Sequence, residues 1–300
     1  MPELPEVETV RAVLQREVVG KKIKSAAVTN GRAVRRHKSA KEFRDRVEGH
    51  TIKSVSRLGK YLIFALDDGS KMVAHLGMSG QLLRAKGPKD PKIKHTHIVF
   101  TFNQGGELRY VDPRTFGEMF VSTPLEEGQS AVISKFARLS IGGDGNLMRQ
   151  AVPEIAHLGI DFLEDQIGWD RFATILRSRT TAIKAVLTDQ DIISGLGNIY
   201  ADETLYNAGV LYDRSAESLS TIEIRRLHRG ITEIMADAIK HRGSTLDDEQ
   251  FVDPDGKPGD YQKFHQVYGR EGQPCHQCRS LILRVTVRGR STFYCEKCQN

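Results

Sequence analysis

Cysteine is absent from the first 274 positions of this 300-residue chain, and all four cysteines fall in the last 26. That excludes a disulfide framework stapling the body of the protein. No apolar run approaches the roughly 20 residues that a membrane span needs, and no signal-peptide pattern precedes the first helical stretch. The expectation is a cytoplasmic protein. Internal repeats and sustained heptads are missing too, so solenoids and coiled coils are excluded and a monomer is the default.

What is present is a chain long enough, at 39% hydrophobic, to bury real cores, and its length suggests two domains. The net charge of +6 suggests a polyanionic partner. Basic residues cluster at Gly20 to Lys24, Gly31 to Lys38 and Arg226 to Arg229. Such clusters serve equally as solvated faces.

The late cysteines form two CxxC pairs, Cys275 with Cys278 and Cys295 with Cys298, separated by sixteen residues. This spacing brings four thiolates around one tetrahedral zinc ion. Two disulfides are the alternative, disfavoured in a reducing compartment. A closed four-cysteine site has no open coordination position, so the zinc is expected to be structural, with no organic cofactor. Between the pairs, "LILRVTVRGRSTFYC" alternates apolar and basic residues around Arg288-Gly289-Arg290, as a two-stranded hairpin with an arginine tip does.

Elsewhere the chain divides by periodicity. Val7, Val10, Leu14 and Val18 recur at helical spacing, with Gly20 as a stop. From 21 to 122, strand-like runs are broken by turn signals such as Asp68-Gly69 and Gly105-Gly106, which predicts an antiparallel sandwich. The Gly- and Pro-containing stretch from Thr123 to Pro153 is the expected linker. Beyond it the pattern turns helical: "WDRFATILRSRTTAIKAVLTD" and "STIEIRRLHRGITEIMADAIKHRG" are strongly periodic, the second capped by Ser220 or Thr221 and stopped by Gly243. Between them "GLGN" makes a tight turn into a short helix. Ser244 to Gly272 is loop-rich and too polar for core, which makes it functional or disordered.

The first residues, "MPELPEVETV", pose a separate question. Pro5, Glu6 and Glu8 suit a helix start, where proline fits the first turn and acids favour the positive end of the dipole. Pro2 is not explained that way. Removal of Met1 would expose its secondary amine, partly neutral at physiological pH, and such an amine attacking an aldehyde-level carbon gives an iminium electron sink.

Several motifs in order now support a resemblance: "PELPEVET", "GKYL" at Gly59 to Leu62, "HLGMSG" at His75 to Gly80, "DPRTFG" at Asp112 to Gly117, "GLGNIYADE" at Gly195 to Glu203, "VYGREGQPC" and the terminal "STFYCEKCQ". Together they resemble the bacterial formamidopyrimidine-DNA glycosylases. The resemblance implies an α+β protein with an N-terminal antiparallel β-sandwich flanked by a helix, a C-terminal helix-two-turn-helix domain and a four-cysteine zinc-finger β-hairpin. The expected division is 1–135 catalytic sandwich, 136–153 linker, 154–245 helix-two-turn-helix, 246–265 lesion-recognition loop and 266–300 zinc finger. The partner it implies is bent double-stranded DNA carrying an oxidised base or an abasic site. The implied reaction removes 8-oxoguanine and formamidopyrimidines, then cuts the strand by β,δ-elimination.

By the same resemblance Pro2 is the nucleophile and Glu3 moves protons at the sugar oxygen. Lys60 assists β-elimination and Arg290 δ-elimination, with plain phosphate binding the alternative for each cation. Met78, Arg114 and Phe116 fill the void left by the flipped nucleotide, and Arg114 reads the orphaned cytosine. Met78 in isolation would be core. His75, His95, Arg179, Lys184, Asn198 and Tyr268 are expected DNA contacts. Asp247, Asp248 and Glu249 in the loop are not obvious lesion readers.

Thr115 and Ser194 depart from the family pattern, where a basic residue and a proline are common; small effects are expected. Gln129 to Val152 matches nothing in it. Two rivals stay open: a pyrimidine-specific glycosylase of the endonuclease VIII type, and a DNA-binding protein that recognises lesions without cutting.

Overall fold

The computed structural model describes residues 2–123, 128, 130–246 and 250–300; Met1, whose removal the Pro2 chemistry needs, and Asp247 to Glu249 lie outside the described residues. The chain forms two compact units, one of residues 1–130, 151–154 and 241–260, the other of 131–150, 155–240 and 261–300. Among the described residues no helix is long and apolar enough to cross a membrane.

In the first unit, helix α1 (Leu4–Val18) is followed by strand β1 (Ile23–Val28), a 3-10 turn at Gly31–Val34 and the short helix α2 (Ala40–Asp45). Strands β2 (Ile52–Leu58), β3 (Tyr61–Leu66), β4 (Lys71–His75), β5 (Gln81–Ala85), β6 (Thr96–Phe102), β7 (Glu107–Val111) and β8 (Glu118–Val121) complete it. They build two four-stranded antiparallel sheets, ordered β1-β6-β7-β5 and β2-β3-β4-β8. The inward side chains of both meet in one core with α1, through Val7, Leu14, Phe64, Phe100 and Tyr110 among others. Alternation with period two lets each strand bury one face there. Phe251 joins the same core, so the 241–260 segment is seated on this unit.

In the second unit, α3 (Gly145–Ala151) lies in the stretch expected as linker. Its Arg149 is fully buried, held by Asp165 Oδ1 and Oδ2 at 3.0 and 2.8 Å and by the carbonyls of Leu158 and Gly159. A buried guanidinium needs that full set of acceptors. Helices α4 (Trp169–Arg177) and α5 (Ile183–Thr188) replace the single periodic run, because the backbone of 179–182 leaves the helix to bond Glu217 and bridge Ser215. Helix α6 (Asn198–Ala208) starts behind Gly197, and α7 (Thr221–Lys240) starts behind Ser220, whose side chain and Glu223 cap each other reciprocally. Strands β9 (Leu283–Val287) and β10 (Arg290–Tyr294) form the terminal hairpin.

Candidate active site and nucleic-acid interface

Three of the four expected catalytic residues, Pro2, Glu3 and Lys60, sit on two adjoining devices of the first unit, and Arg290 lies in the second. Pro2 and Glu3 are buried at the start of α1, Glu3 only 3% exposed. The Glu3 N–H donates to Glu6 Oε2 at 2.8 Å, and Glu6 Oε1 accepts the Ser244 N–H at 2.7 Å. One buried carboxylate therefore fixes the helix start against the base of the 244–260 segment. Lys60, 6% exposed, is the second residue of the two-residue turn between β2 and β3, where Leu58 pairs with Tyr61. Gly59 takes φ of +57°, which such a tight hairpin requires at its first position.

His75 ends β4 directly opposite Tyr61, with ring centroids 4.6 Å apart. Burial, and then the Lys60 ammonium, hold its pKa down to about 4. The imidazole is therefore neutral at pH 7. Its Nδ1 accepts the Gly77 N–H at 3.3 Å, which leaves the proton on Nε2 as a donor.

The three expected void-fillers lie on two loops that touch. Gly77 takes φ of +62°, and a Cβ there would sit 2.4 Å from the Gly117 nitrogen, so no larger residue fits. Met78 and Phe116 are exposed, 36% and 47%. The Arg114 guanidinium stacks over the Phe116 ring at 4.9 Å. Asp112, fully buried, organises both loops: its carboxylate accepts from Ser79 Oγ (2.6 Å), Gly117 N (2.8 Å), Arg114 N (3.2 Å) and Tyr110 Oη (3.2 Å). From outside, Arg32 and Arg35 donate to the carbonyls of Thr115 and Gly117 at 3.2 and 2.7 Å. These bonds hold Thr115 at φ of +54°, a sparsely populated conformation for that residue. His95 is exposed beside this loop, its carbonyl accepting the Asp112 N–H.

In the second unit, Lys184, Asn198, Arg288 and Arg290 line one cleft of about 360 Å³. Arg288 and Gly289, both with positive φ, form a two-residue turn, and Arg290 is exposed at the start of β10. Asn198 Nδ2 donates to the Ser291 carbonyl at 2.6 Å while its buried Oδ1 finds no hydrogen-bond partner among the described residues. Lys184, expected to meet DNA, is 8% exposed and has its ammonium 2.6 Å from Asp202 Oδ1 and 2.7 Å from Thr292 Oγ1. Arg179 stacks on Phe136 at 4.8 Å, its Nε without a hydrogen-bond partner among the described residues. Tyr268 is fixed through its backbone: the fully buried Glu203 accepts the N–H groups of Gln266, Val267 and Tyr268 at 2.8, 3.0 and 2.8 Å.

The four cysteine sulfurs lie within 4.8 Å of one another, with Cys275 to Cys298 at 3.8 Å and Cys278 to Cys295 at 3.4 Å. A tetrahedral zinc with Zn–S bonds of about 2.3 Å spaces its sulfurs at about 3.8 Å. The residues fit one structural zinc ion, and the Tyr206 hydroxyl, 3.1 Å from Cys275 Sγ, adds a polar contact behind it.

The holding roles of Glu6, Arg57, Asp112, Asp202 and Glu203 escaped the reading of the sequence, although all but Arg57 lie in stretches it singled out. Each is a buried polar side chain that acts by holding backbone, and because its partners are set by the tertiary fold, no local pattern in the sequence marked it.

Three family models match the chain: the formamidopyrimidine-DNA glycosylase N-terminal domain over residues 1–119, the formamidopyrimidine-DNA glycosylase H2TH domain over 158–250, and the zinc finger found in FPG and IleRS over 272–300. The formamidopyrimidine-DNA glycosylases of Pelotomaculum thermopropionicum and Bacillus subtilis are each 38% identical, over 100% of this chain and 99% of theirs. The MutM (Fpg) protein of Thermus thermophilus superimposes with a TM-score of 0.81 at 35% identity, covering 99% of this chain and 98% of that one. Lactococcus lactis Fpg, solved with DNA containing N7-benzyl-Fapy-dG, gives 0.83 at 33% identity over 100% of both chains, and the same protein with abasic-site DNA gives 0.82 at 34% over 99% of both. This chain belongs to the formamidopyrimidine-DNA glycosylase family.

Proposed function

We propose that this protein is a bifunctional DNA glycosylase and abasic-site lyase, which excises oxidised purines from duplex DNA and then cuts the strand by β,δ-elimination. The observation that carries the reading is the helix start that buries Pro2 and Glu3 in the same unit as the turn bearing Lys60. Relatives at 33–34% identity over nearly the whole chain, solved with Fapy-dG-type and abasic-site DNA, support the substrate class.

Each residue then has a task. The target nucleotide is flipped out, and Met78, Arg114 and Phe116 occupy the space it leaves. The Pro2 nitrogen forms a bond to C1′ as the bond to the base breaks, and the proton that the amine sheds goes to the departing base; Glu3 protonates the sugar-ring oxygen as the ring opens, and the product is an iminium. The iminium acidifies the C2′ proton, whose loss expels the 3′ phosphate with Lys60 assisting. A second elimination, assisted by Arg290, expels the 5′ phosphate, and water releases the sugar remnant from Pro2. His75 offers a neutral Nε2–H to a phosphate oxygen, and Arg179, Asn198, Tyr268 and His95 each serve as DNA contacts. The structural zinc holds the Arg288–Arg290 hairpin. The division into a catalytic sandwich, a helix-two-turn-helix domain, a lesion-recognition loop and a zinc finger, with 136–153 between the first two, is the functional partition that goes with this reading. The protein works as a monomer at the nucleoid in the cytoplasm.

Borohydride trapping on a duplex carrying 8-oxoguanine opposite cytosine, with mass analysis of the linked peptide, tests the reading. A link to the Pro2 amine supports it. No trapped product from a protein lacking Met1, or a strong preference for dihydrouracil duplexes, refutes it.

A further inference from the structure

Arg57 is the penultimate residue of β2, and its side chain is fully buried. Nothing about strand packing calls for a charge there. A guanidinium is costly to take out of water unless it is paired and bonded, and replacing a buried ion pair by apolar groups is often neutral or stabilising. The position of the charge is better explained by what it holds.

Its Nε donates to Glu8 Oε2 at 3.1 Å, and its Nη1 donates to the Gly59 carbonyl at 3.0 Å. The Gly59 carbonyl belongs to the peptide bond that leads into Lys60, within a turn only two residues long. Orienting that carbonyl orients the peptide plane from which the Lys60 side chain departs. Glu8 lies on α1, the helix whose start carries Glu3 and Pro2, and it is itself held by Arg11 Nε and Nη2 at 2.9 and 2.7 Å. One guanidinium thus spans the two elements that bear the nucleophile and the lysine, with a charge-assisted bond on the helix side.

We propose that Arg57, anchored by Glu8, is a positioning residue for Lys60: it fixes the Gly59–Lys60 peptide relative to α1 so that the ammonium meets the abasic sugar in register with Pro2. The proposal rests on the reading of Lys60 as the residue that assists elimination. Arg57 itself touches no substrate and is not a catalytic residue. A misplacement of an angstrom at a reacting group costs on the order of 100-fold in rate, so a brace of this kind acts on turnover rather than on affinity.

The test is a double-mutant cycle on the full zinc-loaded protein, with single-turnover elimination on a preformed abasic-site duplex as the rate and anisotropy titration as the affinity. Arg57→Met should slow elimination by about 10- to 100-fold with little change in Kd. Arg57→Lys, which keeps one donor, should recover part of the rate. The Arg57→Met, Lys60→Ala double variant should be no slower than Lys60→Ala alone, because the brace acts only through that lysine. Losses that multiply would overturn the proposal, since a general loosening of the fold damages both variants independently. Full elimination activity in Arg57→Met would overturn it as well. If Lys60→Ala alone eliminates at the parent rate, the reading of Lys60 fails and the brace fails with it; the single variant separates that outcome from failure of the brace. Should Arg57→Met not fold, Arg57→Lys and Glu8→Gln carry the same cycle.

Discussion

Lys184 Nζ lies 2.6 Å from Asp202 Oδ1, with the two side chains 8% and 0% exposed, directly beneath the arginine hairpin. The ammonium also reaches Thr292 Oγ1 and the Ser291 carbonyl, and Asp202 Oδ2 accepts the Phe293 N–H at 2.9 Å. Burial pushes the Asp202 carboxyl up to about 7, with the Lys184 charge opposing. Helices α5 and α6 hold β10 from below through this pair.

Breaking one side of a buried ion pair strands the other charge and costs about 3 to 5 kcal/mol. Lys184→Met and Asp202→Asn should each lose stability of that order in urea unfolding. A lost phosphate contact would instead flatten the slope of log affinity against log salt by about 0.9. For Lys184→Met the slope should barely move. A flattening of about 0.9 with unchanged stability would put the ammonium on DNA.

His75 yields a pH prediction. Its folded pKa of about 4 lies below the ordinary 6.5, so between those values the unfolded chain takes up a proton that the folded one refuses. The stability tied to this residue is full above pH 6.5 and is lost as pH falls through about 4. His75→Gln, which cannot titrate, should therefore gain on the parent as the pH of the urea melt is lowered from about 7 to about 4.5. Parallel stability curves would contradict the neutral assignment. DNA affinity between about pH 6 and 8 should owe none of its pH dependence to His75, because the ring is neutral throughout.

The zinc finger carries its own prediction. Strands β9 and β10 form only a two-stranded sheet, over a small cluster of Val267, Ile282, Phe293 and the cysteines. A lone hairpin is marginal in water, so the metal supplies the folding energy. Cys275→Ala should lose bound zinc and most DNA affinity, as the arginine tip loses its support. Metal analysis and anisotropy titration check both, and unchanged affinity in zinc-free protein would sink the claim.

Much of this was legible in the sequence because it is local. The cysteine spacing, the Asp68-Gly69 and Gly105-Gly106 turns and the Ser220 cap are written within a few residues of where they act. The break between α4 and α5 was not legible, since the apolar period runs on through Arg179-Thr180-Thr181 and only the distant partners Ser215 and Glu217 draw the backbone out of the helix. The role of Glu6 was equally hidden, because Ser244, which it holds, lies 238 residues away. Arg149 made a helix out of an apparent linker by finding Asp165 and two carbonyls further along the chain.

Arg114 separates base reading from phosphate binding. Its backbone N–H is pinned by Ser79 Oγ and Asp112 Oδ1 at 3.3 and 3.2 Å, while the guanidinium rests on Phe116 with its edge exposed. A planar donor fork held this way suits the edge of an orphaned base, where a good bidentate pair is worth about 1–3 kcal/mol of discrimination. Arg114→Ala should therefore narrow the rate difference between 8-oxoguanine opposite cytosine and opposite adenine by roughly 5- to 150-fold, the equivalent of that energy. The salt slope of binding should stay as it was, because no phosphate contact is removed. Excision assays against all four opposite bases, with affinities at two salt concentrations, decide it. An unaltered opposite-base profile joined to a flatter salt slope would move Arg114 from the base to the backbone.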